Sequence, residues 1–170
     1  MRKVIFMIVL AAAFLSAGAA FGQTTQDPAV AAARAKLEVV YDLGRVFGYI
    51  HTMDKEQKKL ALSSAQVKAL LATADKILKT PRIEPKAAEE MLTEIEDKIL
   101  KPDQLMFVDE LAIARREEKT TTGATGAGST GGTSPVASYM SGGPFNPMSD
   151  AARKIGADFK AASDYLRAKK

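Results

Sequence analysis

A single histidine and no cysteine restrict the chemistry open to this chain of 170 residues. With His51 as the one imidazole, a multi-histidine metal site or a histidine-assisted nucleophile needs a second subunit or other residue types. His51, Asp54 and Glu38 could make a weak cation site, because helix positions three or four apart share a face. The plainer reading is a half-exposed helix histidine. Without cysteine there are no disulfides, thiolate nucleophiles or thiolate metal ligands. Glu89, Glu90, Glu94, Glu96 and Asp97 form an acidic run, but Lys86 and Lys98 lie within a helical turn of it, as on a solvated face. The glycine-rich stretch after residue 120 joins two helices and lacks the Gly-Lys pair of a phosphate-binding loop. These residues offer no catalytic group, no metal site and no cofactor site, so the expectation is that the protein is not an enzyme.

One spacing recurs. Leu62-Ser63-Ser64-Ala65-Gln66 and Leu100-Lys101-Pro102-Asp103-Gln104 share a Leu-x-x-x-Gln frame, the second beginning 38 residues after the first. The local need is clear: leucine anchors the entering chain against a core, and glutamine bonds back to a backbone N–H that the first helical turn leaves unpaired.

The elements around these frames are all helical. Asp27-Pro28 supplies a cap and a first helical residue, and apolar positions at Val30, Leu37, Val40, Leu43, Phe47, Ile50 and Met53 predict one long amphipathic helix to about Lys59. Gly44 and Gly48 lie on one of its faces, where the missing side chains could admit a neighbouring backbone. A second helix starts at Ser63, whose spacing to Gln66 is that of a capping box, and stops at Thr80-Pro81. Pro85 opens a third and Pro102 a fourth, the latter with Leu105, Val108 and Leu111 as its inner face. Residues 120–146 contain no charge and seven of the twelve glycines, which predicts a flexible linker; the alternative is that Val136 to Pro147 docks on a partner or on the helical body through Tyr139, Met140 and Phe145. Asn146-Pro147 then begins a C-terminal amphipathic helix over 147–170. The expected architecture is all-α: a four-helix, cradle-like hairpin body over 23–119, a linker and one further helix.

The N-terminus reads as an export signal over 1–22. Arg2 and Lys3 precede an apolar run from Val4 to Leu15, and small residues follow to Gly22, after which a cut is expected. The run is shorter than the roughly 20 residues that cross a bilayer core. Removing Arg2 and Lys3 from the 24 basic side chains leaves 22 against 20 acidic ones, too even a balance for a nucleic-acid-binding domain. The expected location is periplasmic or secreted.

With export, helical character and absence of cysteine, the paired frame resembles the Spy and CpxP family of periplasmic proteins, whose members carry two Leu-Thr-x-x-Gln motifs. Leu62, Gln66, Leu100 and Gln104 match by type and spacing, Ser63 and Lys101 stand where the family has threonine, and Pro102-Asp103-Gln104 looks like its Pro-Glu-Gln variant. The likeness covers roughly Asp27 to Lys119. It implies a thin helical cradle, commonly a dimer, that binds unfolded or aggregation-prone proteins without ATP or senses envelope stress. The residues suited to such a surface are Met53, Met91, Met106 and Phe107, with Arg45, Lys58, Lys59, Arg115 and Arg116. The alternative is an envelope adaptor whose tethered C-terminal helix contacts a protein or a membrane surface; the thin, largely alanine stripe of that helix favours packing on the helical body or a second subunit over lipid.

Overall fold

The computed structural model describes residues 27–121 and 134–170. The expected signal segment and residues 122–133 of the expected linker lie outside the described residues. Within them the fold is all-α: six helices, α1 (Pro28–Glu56), α2 (Ser64–Lys79), α3 (Pro85–Glu94), α4 (Pro102–Thr121), α5 (Pro135–Met140) and α6 (Lys154–Lys169). A 3₁₀ turn, Lys58–Leu60, follows α1, and a π turn, Ile95–Ile99, follows α3.

Local chemistry sets the helix starts. The Asp27 carboxylate accepts from the Ala29 N–H at 2.9 Å, with Pro28 in the first turn where its missing donor costs nothing. Pro85 and Pro102 occupy equivalent places in α3 and α4. Helix α1 stops at Glu56, three residues short of the expected Lys59, because Gln57 leaves the helical region and the chain tightens into the 3₁₀ turn. The π turn closes when the Leu100 N–H reaches back to the Ile95 carbonyl at 2.9 Å; Ile95 and Ile99 are both buried there.

Helix α1 is the spine. From Leu37 to Met53 its apolar stripe is buried, and α3, α4 and α6 all pack on it. Ile155 lies over Gly44, the Phe159 ring meets Phe47 edge-on at 4.8 Å, Tyr165 packs on His51 at 4.6 Å, and Lys169 reaches Asp54. Both residue numbers rise together along these pairs, so α6 runs parallel to α1. Helix α2 packs on α6 and on the π turn, whereas α1 makes its main contacts with α6, α3 and α4. This replaces the expected four-helix hairpin. The C-terminal helix fills the position between α1 and α2, because the apolar stripes of both converge on Phe159, Ala162 and Leu166, all fully or almost fully buried.

The linker expectation is overturned for 134–146. Val136 and Phe145 are buried, and Phe145 joins the α2–α3 connection by backbone bonds: its N–H donates to the Pro81 carbonyl and its own carbonyl accepts from the Ile83 N–H, each at 2.9 Å. Arg82 donates to the Gly143 carbonyl at 2.6 Å and to the Tyr139 carbonyl at 3.1 Å, and its guanidinium stacks over the Tyr139 ring. The Asn146 amide donates to the Ile77 and Thr80 carbonyls at the end of α2, so this residue closes α2 rather than starting the last helix. That helix begins at Lys154, after turns in which Gly156 sits against the Asp150 carbonyl; a Cβ there would approach it to 2.0 Å. Of the two α1 glycines, Gly44 admits the Ile155 side chain rather than a backbone, while Gly48 faces open space.

Phe159 is therefore part of the same core as Phe47. Phe159→Ala is expected to lower unfolding free energy by about 3–5 kcal/mol, and Ile113→Ala, at an exposed position of α4, to change it by less than about 0.5 kcal/mol. Urea denaturation followed by circular dichroism checks both. Similar small changes for the two would show that α6 does not complete the core.

Candidate functional site

The two Leu-x-x-x-Gln frames meet in one buried polar junction. Ser63 and Gln66 form the expected capping box: the Ser63 hydroxyl accepts from the Gln66 N–H, and Gln66 Oε1 accepts from the Ser63 N–H at 3.0 Å. The second frame makes only the reciprocal half. Gln104 Oε1 accepts from the Lys101 N–H at 2.9 Å, but lysine has no acceptor to return, and Pro102 removes one of the donors that would need it. Each glutamine then reaches across. Gln66 Nε2 donates to the Ile99 carbonyl at 2.7 Å and to Gln104 Oε1 at 2.6 Å, while Gln104 Nε2 donates to the Leu60 carbonyl at 2.9 Å. The backbone partners fix both amide orientations, since each oxygen faces an N–H and each nitrogen a carbonyl. Leu62 and Leu100 are buried beside the pair as expected.

A second polar junction is made by Asp54. Its carboxylate, fully buried as a side chain, accepts from the Leu62 N–H at 2.6 Å, the Tyr165 hydroxyl at 2.8 Å and Lys169 Nζ at 2.6 Å. Burial alone would raise this carboxyl. The bonds from Lys169, Leu62 and Tyr165 outweigh it, and the pKa lies below the ordinary aspartate value. The cation site considered for His51, Asp54 and Glu38 is thereby displaced: Asp54 is occupied by Lys169, and Glu38 pairs with Arg45. The His51 ring is half-buried against Tyr165, and its pKa is lowered, first by burial and then by Lys55. Sequence reading missed the Asp54 clasp. The available signal was an aspartate in the last turn of a helix, where the dipole disfavours it unless a cation compensates.

The residues proposed for protein binding separate into three groups. Met53 and Met91 are core side chains, fully or almost fully buried, which removes them from any contact surface; Met53 continues the stripe of Ile50 and Phe47. Arg45 is half-buried and bonded to Glu38 and Asp42, and Arg116 reaches the same Asp42 at 3.2 Å, so both cations are largely compensated. Met106 is 60% exposed on α4, Phe107 is half-buried, Arg115 is exposed, and Lys58 and Lys59 are exposed on the 3₁₀ turn. Helix α4 runs antiparallel to α1, since Gln104 bonds Leu60 and Arg116 bonds Asp42. Its flank is therefore bordered by Lys58 and Lys59 at one end and by Arg45 and Arg116 at the other. Ile113, 56% exposed and seven positions from Met106, belongs to the same outer face and went unrecognised in the sequence.

Most of the acidic run is solvent-exposed as expected. Glu96 is the exception: it is half-buried, and its carboxyl is raised by burial and then by Asp109, Asp97 and Asp42. Among the described residues no group of three or more histidines, carboxylates or cysteines is placed to hold a metal ion, and no helix is long and apolar enough to cross a membrane. Comparison of the chain with protein-family models, curated proteins and solved structures gives no match.

Two outcomes follow from the polar junctions. Gln66→Ala and Gln104→Ala are each expected to cost about 1–3 kcal/mol, because buried backbone groups lose their partners. The double variant should cost less than the sum by at least about 0.5 kcal/mol, and strict additivity in urea unfolding would mean the two amides do not interact. Asp54→Asn should lower stability at pH 7 by about 1–3 kcal/mol. Because the folded pKa of Asp54 is depressed, its stabilisation is present above the unfolded aspartate value of 3.8 and is lost as pH falls through the folded value. The gap between wild type and variant should be the same at pH 7 and 5 and narrow below pH 3.8. A gap independent of pH would contradict the assignment.

Proposed function

We propose that the protein is exported and acts as an ATP-independent, chaperone-like or envelope-stress protein that holds unfolded or aggregation-prone chains, without enzymatic activity. The observation that carries this reading is the outer face of α4. Met106 and Ile113 stand exposed seven residues apart, with Glu110 between them and basic side chains at both ends of the helix. A flexible thioether and a branched aliphatic set among charges give weak, adaptable contacts, which suits partners of no fixed shape. The joined Leu-x-x-x-Gln frames support the resemblance to the Spy and CpxP family, with the frames acting as a structural clasp rather than as the binding surface. On this reading the segment before Gln23 is a signal removed on export, and the second copy that the resemblance implies would extend the same surface. The adaptor reading is less well supported, because the apolar side of α6 is engaged by α1 and α2.

The mature protein should suppress aggregation of an unrelated unfolded protein without ATP, measured by light scattering. Added salt should weaken capture, since charge attraction reaches only about 8 Å at physiological ionic strength. The Met106→Ser, Ile113→Ser variant should need at least about threefold more protein for equal suppression, with a melting curve like that of wild type. Absence of suppression at several-fold molar excess would remove the chaperone reading.

A further inference from the structure

We propose that the outer face of α4 takes up segments of other proteins that set lysine or arginine between apolar residues, and that Asp109 and Glu110 are the groups that select them. The inference deepens the chaperone reading and rests on it for the biological partner, while its test is a binding measurement that stands apart.

The face is a quartet at helical spacing. Met106, Asp109, Glu110 and Ile113 stand at positions i, i+3, i+4 and i+7 of α4, so two carboxylates lie between two exposed apolar side chains. The apolar pair is about 10 Å apart along the helix axis. Glu110 is exposed and Asp109 half-buried. Further negative charge stands behind them. The π turn adds Glu96 and Asp97 and α1 adds Asp42, and the Glu96 carboxyl is raised by burial and then by Asp109, Asp97 and Asp42; burial raises Asp109 as well.

The cations of this flank are engaged elsewhere. Arg45 is bonded to Glu38 and Asp42, Arg116 to Asp42 and Arg115 to Glu118. Lys98 of the π turn lines the open groove between α2 and α3 together with Lys76 and Lys86. Among the described residues Glu96, Asp109 and Glu110 therefore have no ion-pair partner. An incoming ammonium or guanidinium supplies the missing counter-charge, and its alkyl stem lies along Met106 or Ile113 while its head reaches the carboxylates. Exposed Lys101 before the quartet and exposed Arg115 beyond it disfavour further cations at the ends of the partner. The pattern that fits is the converse of α4's own: two apolar residues seven apart, lysine or arginine three and four positions after the first, and neutral or acidic residues outside. A segment with acidic residues at its centre meets like charge and is rejected.

The probe is a pair of fluorescent synthetic peptides with the cores Leu-Ala-Ala-Lys-Lys-Ala-Ala-Leu and Leu-Ala-Ala-Glu-Glu-Ala-Ala-Leu and identical neutral ends, titrated with the full chain and followed by anisotropy. The lysine peptide should bind at least about tenfold more tightly than the glutamate peptide, since two exposed charge pairs change from attraction to repulsion. The Asp109→Asn, Glu110→Gln variant should lose about threefold in affinity for the lysine peptide. Glu110→Lys, a change at an exposed position, should weaken the lysine peptide and strengthen the glutamate peptide. Met106→Ser, Ile113→Ser should weaken both alike. Affinities of wild type for the two peptides within about twofold, or no binding of either, would overturn the proposal. So would a folded Glu110→Lys variant that binds both peptides as wild type does. Aggregation assays on the same samples separate the two readings. Suppression without preference between the peptides keeps the chaperone reading and removes this inference, whereas preference without suppression does the reverse.

Discussion

The amide of Gln66 meets the amide of Gln104 in a site closed to water, and each is also tied to backbone groups at both helix starts. Neither α2 nor α4 can shift relative to the other without leaving a buried donor or acceptor unpaired, which costs more than the bond itself contributes. The constraint extends outward. Leu62 follows from it as a core anchor, the Leu62 N–H is held by Asp54, and Asp54 holds the last turn of α6. Three stretches far apart in the chain, 54–66, 99–104 and 165–169, are thereby registered by two small polar clusters, while the apolar side chains around them supply most of the driving force.

The helix starts were legible because they are written within four residues: Asp27-Pro28, Ser63 with Gln66, Pro85, and Pro102 each satisfy their own backbone. The pairing of helices was legible only in outline: the last helix packs on the body as its thin stripe suggests, but which helices it joins could not be read. An apolar stripe says that a face is covered but not by what, and the stripes of α1 and α2 are covered by a helix from the far end of the sequence. The stretch 134–146 was misread for a different reason. Its composition is that of a tether, but docking depends on Phe145 and Asn146, with Arg82 bonding the Gly143 and Tyr139 carbonyls from outside the stretch, and an average over thirteen residues hides two. The buried Met53 and Met91 were assigned to a surface by residue type, although their positions in the stripes of α1 and α3 already placed them inside.

Of the residues named for protein contact, Met106, Arg115, Lys58 and Lys59 are exposed, and Ile113 shares the outer face of Met106. Helix α4 differs from the other long helices in that only Val108 among its apolar side chains is buried. It packs mainly on α1, is tied to α2 through Gln104 and Gln66, and leaves its outer side to solvent. Of the four large apolar side chains exposed among the described residues, Met106 and Ile113 are on α4, Leu78 is on α2 and Met140 on α5.

The parallel seating of α6 beside α1 also governs how the chain acquires its structure. Tyr165 bonds Asp54 across 111 residues of sequence, and the Phe47 ring has no aromatic partner until Phe159 has been synthesised. Contacts of such separation carry a large loop-closure entropy and slow the folding step that forms them. Helices α3 and α4 can cover their share of the α1 stripe early, whereas the part around Phe47 and Asp54 is covered only once α6 is in place. A chain cut before Lys169 would keep Phe159 and Leu166 for its core but leave the buried Asp54 carboxylate without its cation.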